Sequence, residues 1–404
     1  MAVKGLKRVN ILDKGFLADP FPLSKQLRKA FPVCIAEPGN AWTIWRYEDV
    51  KDCLRNTSVF SSSGFQAMYQ PEWLAPDCRR DPFILSMDGD LHEKNRNLVN
   101  KAFLKKIIDR YEPLMRDTAS RLTKEITSET PVDFIASFAF PYTAATLSAI
   151  VGVGGQSISD LRHWLELLEC LSPIPPEPAQ INLVEAAIRK QNAIFDQLIL
   201  CRRDRPEGDL LSALAGAEID GKRLGDVALR SCLDLLITAG LGTTIYSLTN
   251  AILFLSRRRD IWREIRQDAS LIPLFIEEML RFDPATHVLL RKTTCPAVVA
   301  EIEIPECSLV CLMIGSANRD ESVFADPEQF NMFRKGEAPS IAFGFGAHAC
   351  VGLALAKLEM KVALEVITCQ FKSLSCPPDQ ELQWISSITT HGLSQLPVSF
   401  RTYE

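Results

Sequence analysis

Apolar residues recur every three or four positions over long stretches of this chain, and strict alternation is rare. Tyr111–Ile126, Ile158–Leu171, Leu183–Cys201 and Val227–Leu255 each carry the helical spacing. After Gly352, the run from Leu353 to Leu364 consists of strong helix formers without a breaker, which predicts one more helix. Strand-like runs are short and few. Trp42–Trp45, Ala297–Ile304 and Leu309–Met313 read as β pieces, the last two separated by Pro305-Glu306, and Leu396–Phe400 reads as a closing edge strand. The pattern predicts a mainly α fold with a small antiparallel β region. Two segments follow neither period: Ser61–Asp90, which carries Pro71, Pro76 and Pro82, and the Pro-rich stretch Pro173–Pro178. Long irregular segments of this kind are often lids or binding loops.

Composition narrows the classes. The chain has 404 residues and no internal repeat, low-complexity tract or Gly/Ser linker, so residues 1–404 read as a single catalytic-size domain. A net charge of −5 argues against nucleic acid as the main partner. The longest apolar stretches, near Leu233–Leu241 and Ser308–Gly315, fall well short of the ~20 residues that span a bilayer. Met1–Phe16 has no apolar core, so neither a signal peptide nor a membrane anchor is expected. Twelve cysteines without paired spacing read as reduced thiols of a cytoplasmic protein. There is no Cys-x-x-Cys and the five histidines are dispersed, which makes zinc a poor expectation.

The candidate chemistry centres on Cys350, in Phe343-Gly344-Phe345-Gly346-Ala347-His348-Ala349-Cys350-Val351-Gly352. A thiolate that binds haem iron needs a turn close to the porphyrin, donors aimed at sulfur and an apolar wall against water. Gly344 and Gly346 can take positive φ, Phe343 and Phe345 offer walls, and the helix after Gly352 places Cys350 at an N-terminus that favours the thiolate. A second unusual run, Ile237-Thr238-Ala239-Gly240-Leu241-Gly242-Thr243-Thr244, puts glycines and threonines inside a long helix. Threonine hydroxyls there can bond back to carbonyls and open the ladder.

The spacing Phe-x-x-Gly-x-His-x-Cys-x-Gly resembles the haem-binding loop of the cytochrome P-450 family, the haem-thiolate monooxygenases. Further runs are similar to the family's in the expected order, from about Tyr47 to Phe400. The resemblance implies the cytochrome P-450 fold, haem b as cofactor and Cys350 as the iron ligand. It implies propionate contacts from His92 and Arg96, four apart on one helix face, and from Arg291 and His348, with Phe343 and Gly346 completing the haem loop. Glu278-Met279-Leu280-Arg281 matches the family's Glu-x-x-Arg, with Arg334 as the second arginine of a buried scaffold network. Thr243, assisted by Thr244, matches the threonine that positions water on the distal face. The family's preceding carboxylate is replaced here by Gly242. That departure keeps open an atypical haem-thiolate oxidase, coupling or peroxide-driven, beside ordinary monooxygenation. Candidate substrate walls are Phe83, Ile84, Leu85, Leu235, Ala239, Val288, Leu289 and Ile388, which suit a largely apolar small molecule of secondary metabolism. Lys101, Lys105, Lys106, Lys357 and Lys361 could form a basic face for an acidic electron donor. By the resemblance to small bacterial members, that donor is a ferredoxin served by its reductase, and the enzyme is a monomer.

Overall fold

The computed structural model describes residues 6–66, 70–79, 83–126, 130–153, 161, 171, 175–219, 221–335, 338–377 and 382–403. In chain order, the helices that build the site are α1 (Tyr47–Arg55), α2 (Gly89–Ala102), α3 (Glu112–Glu125), α4 (Phe140–Val151), α5 (Pro178–Asp204), α6 (Asp226–Arg257), α7 (Ile272–Phe282) and α8 (Leu353–Gln370). Four of the expected helices appear as α3, α5, α6 and α8. The expected helix Ile158–Leu171 lies almost wholly outside the described residues, as do Pro82, Pro173 and Ile174.

Local sequence sets the ends of these helices. Prolines occupy the first turns of α3, α4, α5 and α7, where a missing N–H costs nothing. α4 stops at Gly152 in the left-handed region, φ 90°. α6 is apolar around its whole circumference because it runs through the middle of the protein. It is long and apolar enough to cross a membrane, yet most of it is buried against other helices. Met115, Phe138, Leu147, Leu241, Leu248 and Val362 belong to the core that α3, α4, α6 and α8 enclose.

The strands are β1 (Arg8–Asn10), β2 (Val33–Glu37), β3 (Ala41–Ile44), β4 (Phe60–Ser61), β5 (Val132–Asp133), β6 (Glu218–Ile219), β7 (Lys222–Arg223), β8 (Val288–Thr293), β9 (Ala297–Val299), β10 (Ile302–Ile304), β11 (Leu309–Met313), β12 (Phe371–Ser375) and β13 (Pro397–Thr402). The largest sheet has the order β1-β2-β3-β11-β8-β4. It is mixed, not purely antiparallel: β1 runs parallel to β2, and β11 parallel to β3. Strands so far apart in sequence are joined by long helical connections, which permit parallel pairing.

Three further details depart from the hydrophobic pattern. Ala297–Ile304 is a hairpin, β9 against β10, with Ala300 and Glu301 at positive φ in the turn. β11 pairs instead with β8, in the register Leu290 opposite Cys311. β8 escaped the pattern because Val288, Leu290, Arg291 and Thr293 are all buried, which erases alternation. β13 is not an edge strand. It lies between β12 and β5, and Pro397 is accommodated as its first residue, opposite Asp133.

Candidate active site

The residues before α8 turn back on themselves. Gly344 and Gly346 adopt φ of 71° and 75°, and a Cβ on Gly346 would come within 3.2 Å of the Leu54 carbonyl oxygen. The Cys350 amide donates to the Phe343 carbonyl at 2.8 Å, closing the loop. The sulfur therefore opens onto a cavity deep in the protein. Burial raises the thiol pKa, while the amides of Gly352 and Leu353 and the charge of Arg96 oppose that rise without cancelling it. The start of α8 thus acts toward the thiolate, while burial acts against it. A bound metal ion would decide the balance, because coordination deprotonates a thiol outright. Phe343 lines the cavity, whereas Phe345 packs behind the loop under the side chains of Lys51 and Arg55.

The cavity, about 250 Å³, lies between this loop and α6. Arg96, Phe343, His348, Cys350, Thr243 and Thr244 all line it. His92 and Arg291 lie outside its lining but belong to the same corner. The His92 and His348 rings stack at 4.0 Å, and both His92 and Arg291 are almost fully buried. Neither His92 Nε2 nor Arg291 Nε has a hydrogen-bond partner among the described residues. Burial, with His348 and Arg96 adding to it, pushes His92 down to about 4, and burial pushes Arg291 down to about 10. Arg96 donates to Asn100 Oδ1 and to the Ala349 carbonyl. Asp88 precedes α2 but does not cap it. Its carboxylate accepts from the Ser61 hydroxyl at 2.6 Å and the Ser62 amide at 3.0 Å, and lies 3.1 Å from His348 Nε2.

This corner fits haem on chemical grounds. Buried donors without acceptors are costly, and two arginines with two histidines around a single carboxylate leave room for an anionic partner. A propionate-bearing macrocycle with an iron for Cys350 would meet both demands.

On the opposite wall, α6 runs unbroken past its glycines and threonines. The Thr243 hydroxyl donates to the Ala239 carbonyl at 2.7 Å and Ser247 to the Thr243 carbonyl at 2.8 Å, so the hydroxyls bond back along the helix without opening it. Gly242 leaves no carboxylate on this turn. Sequence reasoning missed the acid that is nearby: Glu359, on α8, is fully buried, lines the cavity and accepts a hydrogen bond from Thr244. Burial pushes it up to about 8, so it holds a proton at neutral pH. A glutamate flanked by Leu358 and Met360 was the available hint.

Among the candidate walls, Ile84, Leu85, Leu235, Ala239 and Leu289 line the cavity. Phe83 is buried in the core beside it. Val288 and Ile388 border a separate, smaller cavity. Gly346 supports the loop from behind and does not line the cavity. The scaffold pair is closed: Arg281 grips Glu278 at 2.7 and 2.8 Å, and Arg334 Nε donates to Glu278 at 2.9 Å. The Asn331 amide also donates to Glu278, so this buried charge is fully satisfied. The lysine face is partly neutralised, since Lys105 pairs with Asp109, Lys357 with Glu277 and Lys361 with Glu365.

Fold, cysteine loop and threonine-bearing helix together define a haem-thiolate enzyme architecture. The cytochrome P450 family model matches residues 178–396. Cytochrome P450 107B1 of Saccharopolyspora erythraea is 34% identical over 370 residues, covering 89% of each chain. The cyclomarin C epoxidase CymV of Salinispora arenicola is 30% identical, covering 87% of this chain and 88% of that one. The structure of cytochrome P450 CYP109Q5 from Chondromyces apiculatus superposes with a TM-score of 0.89 at 29% identity, covering 98% of this chain and 99% of the other. This chain belongs to the cytochrome P450 family and is an oxidoreductase of that family.

Proposed function

We propose that the protein is a monooxygenase that holds haem b on Cys350 and oxidises a largely apolar small molecule of secondary metabolism. The observation that carries this reading is a single cavity lined at once by the Cys350 sulfur, the Thr243 and Thr244 hydroxyls and a wall of leucine, isoleucine and alanine side chains. Haem, when bound, supplies reductive activation of dioxygen and transfer of one oxygen atom to a substrate. The chain does the rest. Arg96, His92, Arg291 and His348 bind and orient the propionates, and the Gly352 and Leu353 amides donate to the sulfur. Leu235, Ala239 and Leu289 exclude water beside the substrate. Thr243 holds a water on the distal side. Glu359 stores a proton that Thr244 can pass on, which offsets the missing carboxylate at Gly242.

Glu359 favours ordinary monooxygenation over an atypical coupling or peroxide-driven oxidase, because an internal acid remains within reach of the threonines. Electrons would come from a ferredoxin and its reductase in the cytoplasm, to a monomeric enzyme. The relative named for cyclomarin C epoxidation supports a secondary metabolite as substrate class. The test is a titration of the purified ferric protein with terpenoid, polyketide and cyclic-peptide compounds, followed at the Soret band. A thiolate-type band that shifts to high spin, then turnover with a ferredoxin, its reductase and NADPH, supports the reading. Product formed only with peroxide sinks it in favour of the alternative.

A further inference from the structure

Outside the cavity, three side chains converge from separate parts of the chain. Asp283 follows α7, His287 immediately precedes β8, and His391 comes from the segment before β13. One ligand atom from each lies within 4.8 Å of the other two. His391 Nδ1 is 2.9 Å from Asp283 Oδ1, and His287 Nε2 is 3.8 Å from the same oxygen. A tetrahedral ion with bonds of ~2.0–2.2 Å holds its ligands roughly 3.3–3.5 Å apart, a separation these two distances bracket.

The imidazoles are held from all sides and still have nitrogens to spare. Trp384 stacks on His391 at 4.1 Å, and Phe21 meets both rings edge-on. The His391 amide donates to the Ala285 carbonyl at 2.7 Å, and the His287 amide to the Thr389 carbonyl at 2.8 Å. Gly315 is needed to admit His287, since a Cβ there would approach its Cε1 to 2.7 Å. His391 is 6% exposed. Neither its Nε2 nor that of His287 has a hydrogen-bond partner among the described residues. The guanidinium of Arg319, whose charge is felt at His287, is engaged by Glu328 and the Phe282 carbonyl, both at 2.8 Å.

We propose that Asp283, His287 and His391 form a site for one divalent transition-metal ion of the Zn²⁺ class. Two imidazoles and one carboxylate suit a borderline cation, whereas Mg²⁺ and Ca²⁺ seek all-oxygen shells. Both histidines border a small cavity of about 20 Å³ with Phe16, Leu17 and Met313. That exceeds the ~10–15 Å³ one water requires, so a water can complete the shell. The ion would tie the end of α7 and the start of β8 to the C-terminal segment. Thr286 and Leu289, on either side of that tie, line the active-site cavity, and Thr286 forms a β-bridge with Thr390. The role is to brace a substrate wall.

The test uses haem-loaded, chelator-treated protein titrated with ZnCl₂ by calorimetry. One Zn²⁺ should bind per chain, at least tenfold more weakly in His287→Gln or His391→Gln and not at all in the double variant. Alkylation of accessible cysteines should leave the stoichiometry unchanged. Should the variants fold poorly, zinc-edge X-ray absorption on the wild-type protein decides: nitrogen and oxygen neighbours with imidazole scattering support the site. No stoichiometric binding, unaltered binding in the double variant, loss on alkylation or sulfur neighbours at the edge would each overturn it.

Discussion

The molecule contains two stacked histidine pairs that look alike in isolation. His92 and His348 stack at 4.0 Å with an interplanar angle of 34°, and His287 and His391 at 4.5 Å with 33°. Each pair has one aspartate against one ring, Asp88 at 3.1 Å and Asp283 at 2.9 Å. The surroundings then part company. Arg96 and Arg291 crowd the first pair, so its spare donors look for an anion. The second pair closes around its carboxylate, where His391 Nδ1 and the unpartnered His287 Nε2 can offer lone pairs to a cation. The same three side-chain types thus suit ligands of opposite charge. What decides is whether guanidinium groups or a shared carboxylate fill the remaining space.

Removing the cations should break the first half of that comparison, with the largest effect. Arg96→Leu or Arg291→Leu each deletes a charged donor of the type worth about 1.5–3 kcal/mol to an anionic partner. Haem retention should fall by roughly 10- to 100-fold per substitution, and more in the double variant. The ratio of Soret to protein absorbance after gel filtration checks this. Retention at the wild-type level in both single variants would mean that the propionates lie elsewhere.

A third buried acid sharpens the lesson because no histidine faces it. The carboxyls of Asp88 and Asp283 are held below their ordinary range despite burial, chiefly by His348 and His391 respectively. Burial pushes Glu359 up to about 8, against a hydrogen bond from Thr244. Its folded pKa lies above the unfolded one, so between about pH 4.5 and 8 the folded state keeps a proton that the unfolded chain has lost. Stability therefore declines as pH rises across that window. Glu359→Gln should remove the decline and be the more stable form near pH 9, by a few kcal/mol. Denaturant midpoints at pH 5, 7 and 9 measure the gap, and a constant gap would refute the burial of a neutral acid. In turnover assays the same variant should consume more oxygen per product formed.

Much of this was legible in sequence where chemistry and spacing coincide within one segment. The cysteine loop, Glu278 with Arg281, and the helical run of α6 each announce themselves within one continuous stretch of chain. What sequence withheld depends on tertiary meetings. Glu359 is nine residues beyond Cys350 on a helix, and nothing local says that this face turns toward Thr244. His287 and His391 are about a hundred residues apart, so counting dispersed histidines gave a wrong impression of their isolation. The middle position of β13 was hidden too, because a proline at a strand's first residue looks the same at an edge and in the centre.

Asp283→Asn tests the second pair without any metal. In chelator-treated protein it should cost about 1–3 kcal/mol at pH 7, since the amide keeps shape but loses the charge facing His391. Thermal or denaturant unfolding shows the loss. A neutral result would mean that the histidines hold this corner by stacking alone.

The smallest effect belongs to Asp88, which is partly open to solvent. Its pKa is lowered, burial being outweighed by hydrogen bonds from His348, Ser61 and the Ser62 amide. A depressed carboxylate contributes stability that is present above the unfolded value of about 3.9 and is lost as pH falls through the folded one. Asp88→Asn should thus cost about 0.5–1.5 kcal/mol at pH 7, and the gap to wild type should narrow as pH falls below that unfolded value. Equilibrium denaturation across that range reads it directly. If the gap does not narrow in acid, the charge of Asp88 is not what the substitution removes from stability, since the amide keeps the shape. The two pairs would then differ in more than their neighbours, because only Asp283 would be working as an ion. If the gap narrows while haem retention is unchanged, His348 is fixed by Asp88 and leaves the propionates to Arg96, Arg291 and His92.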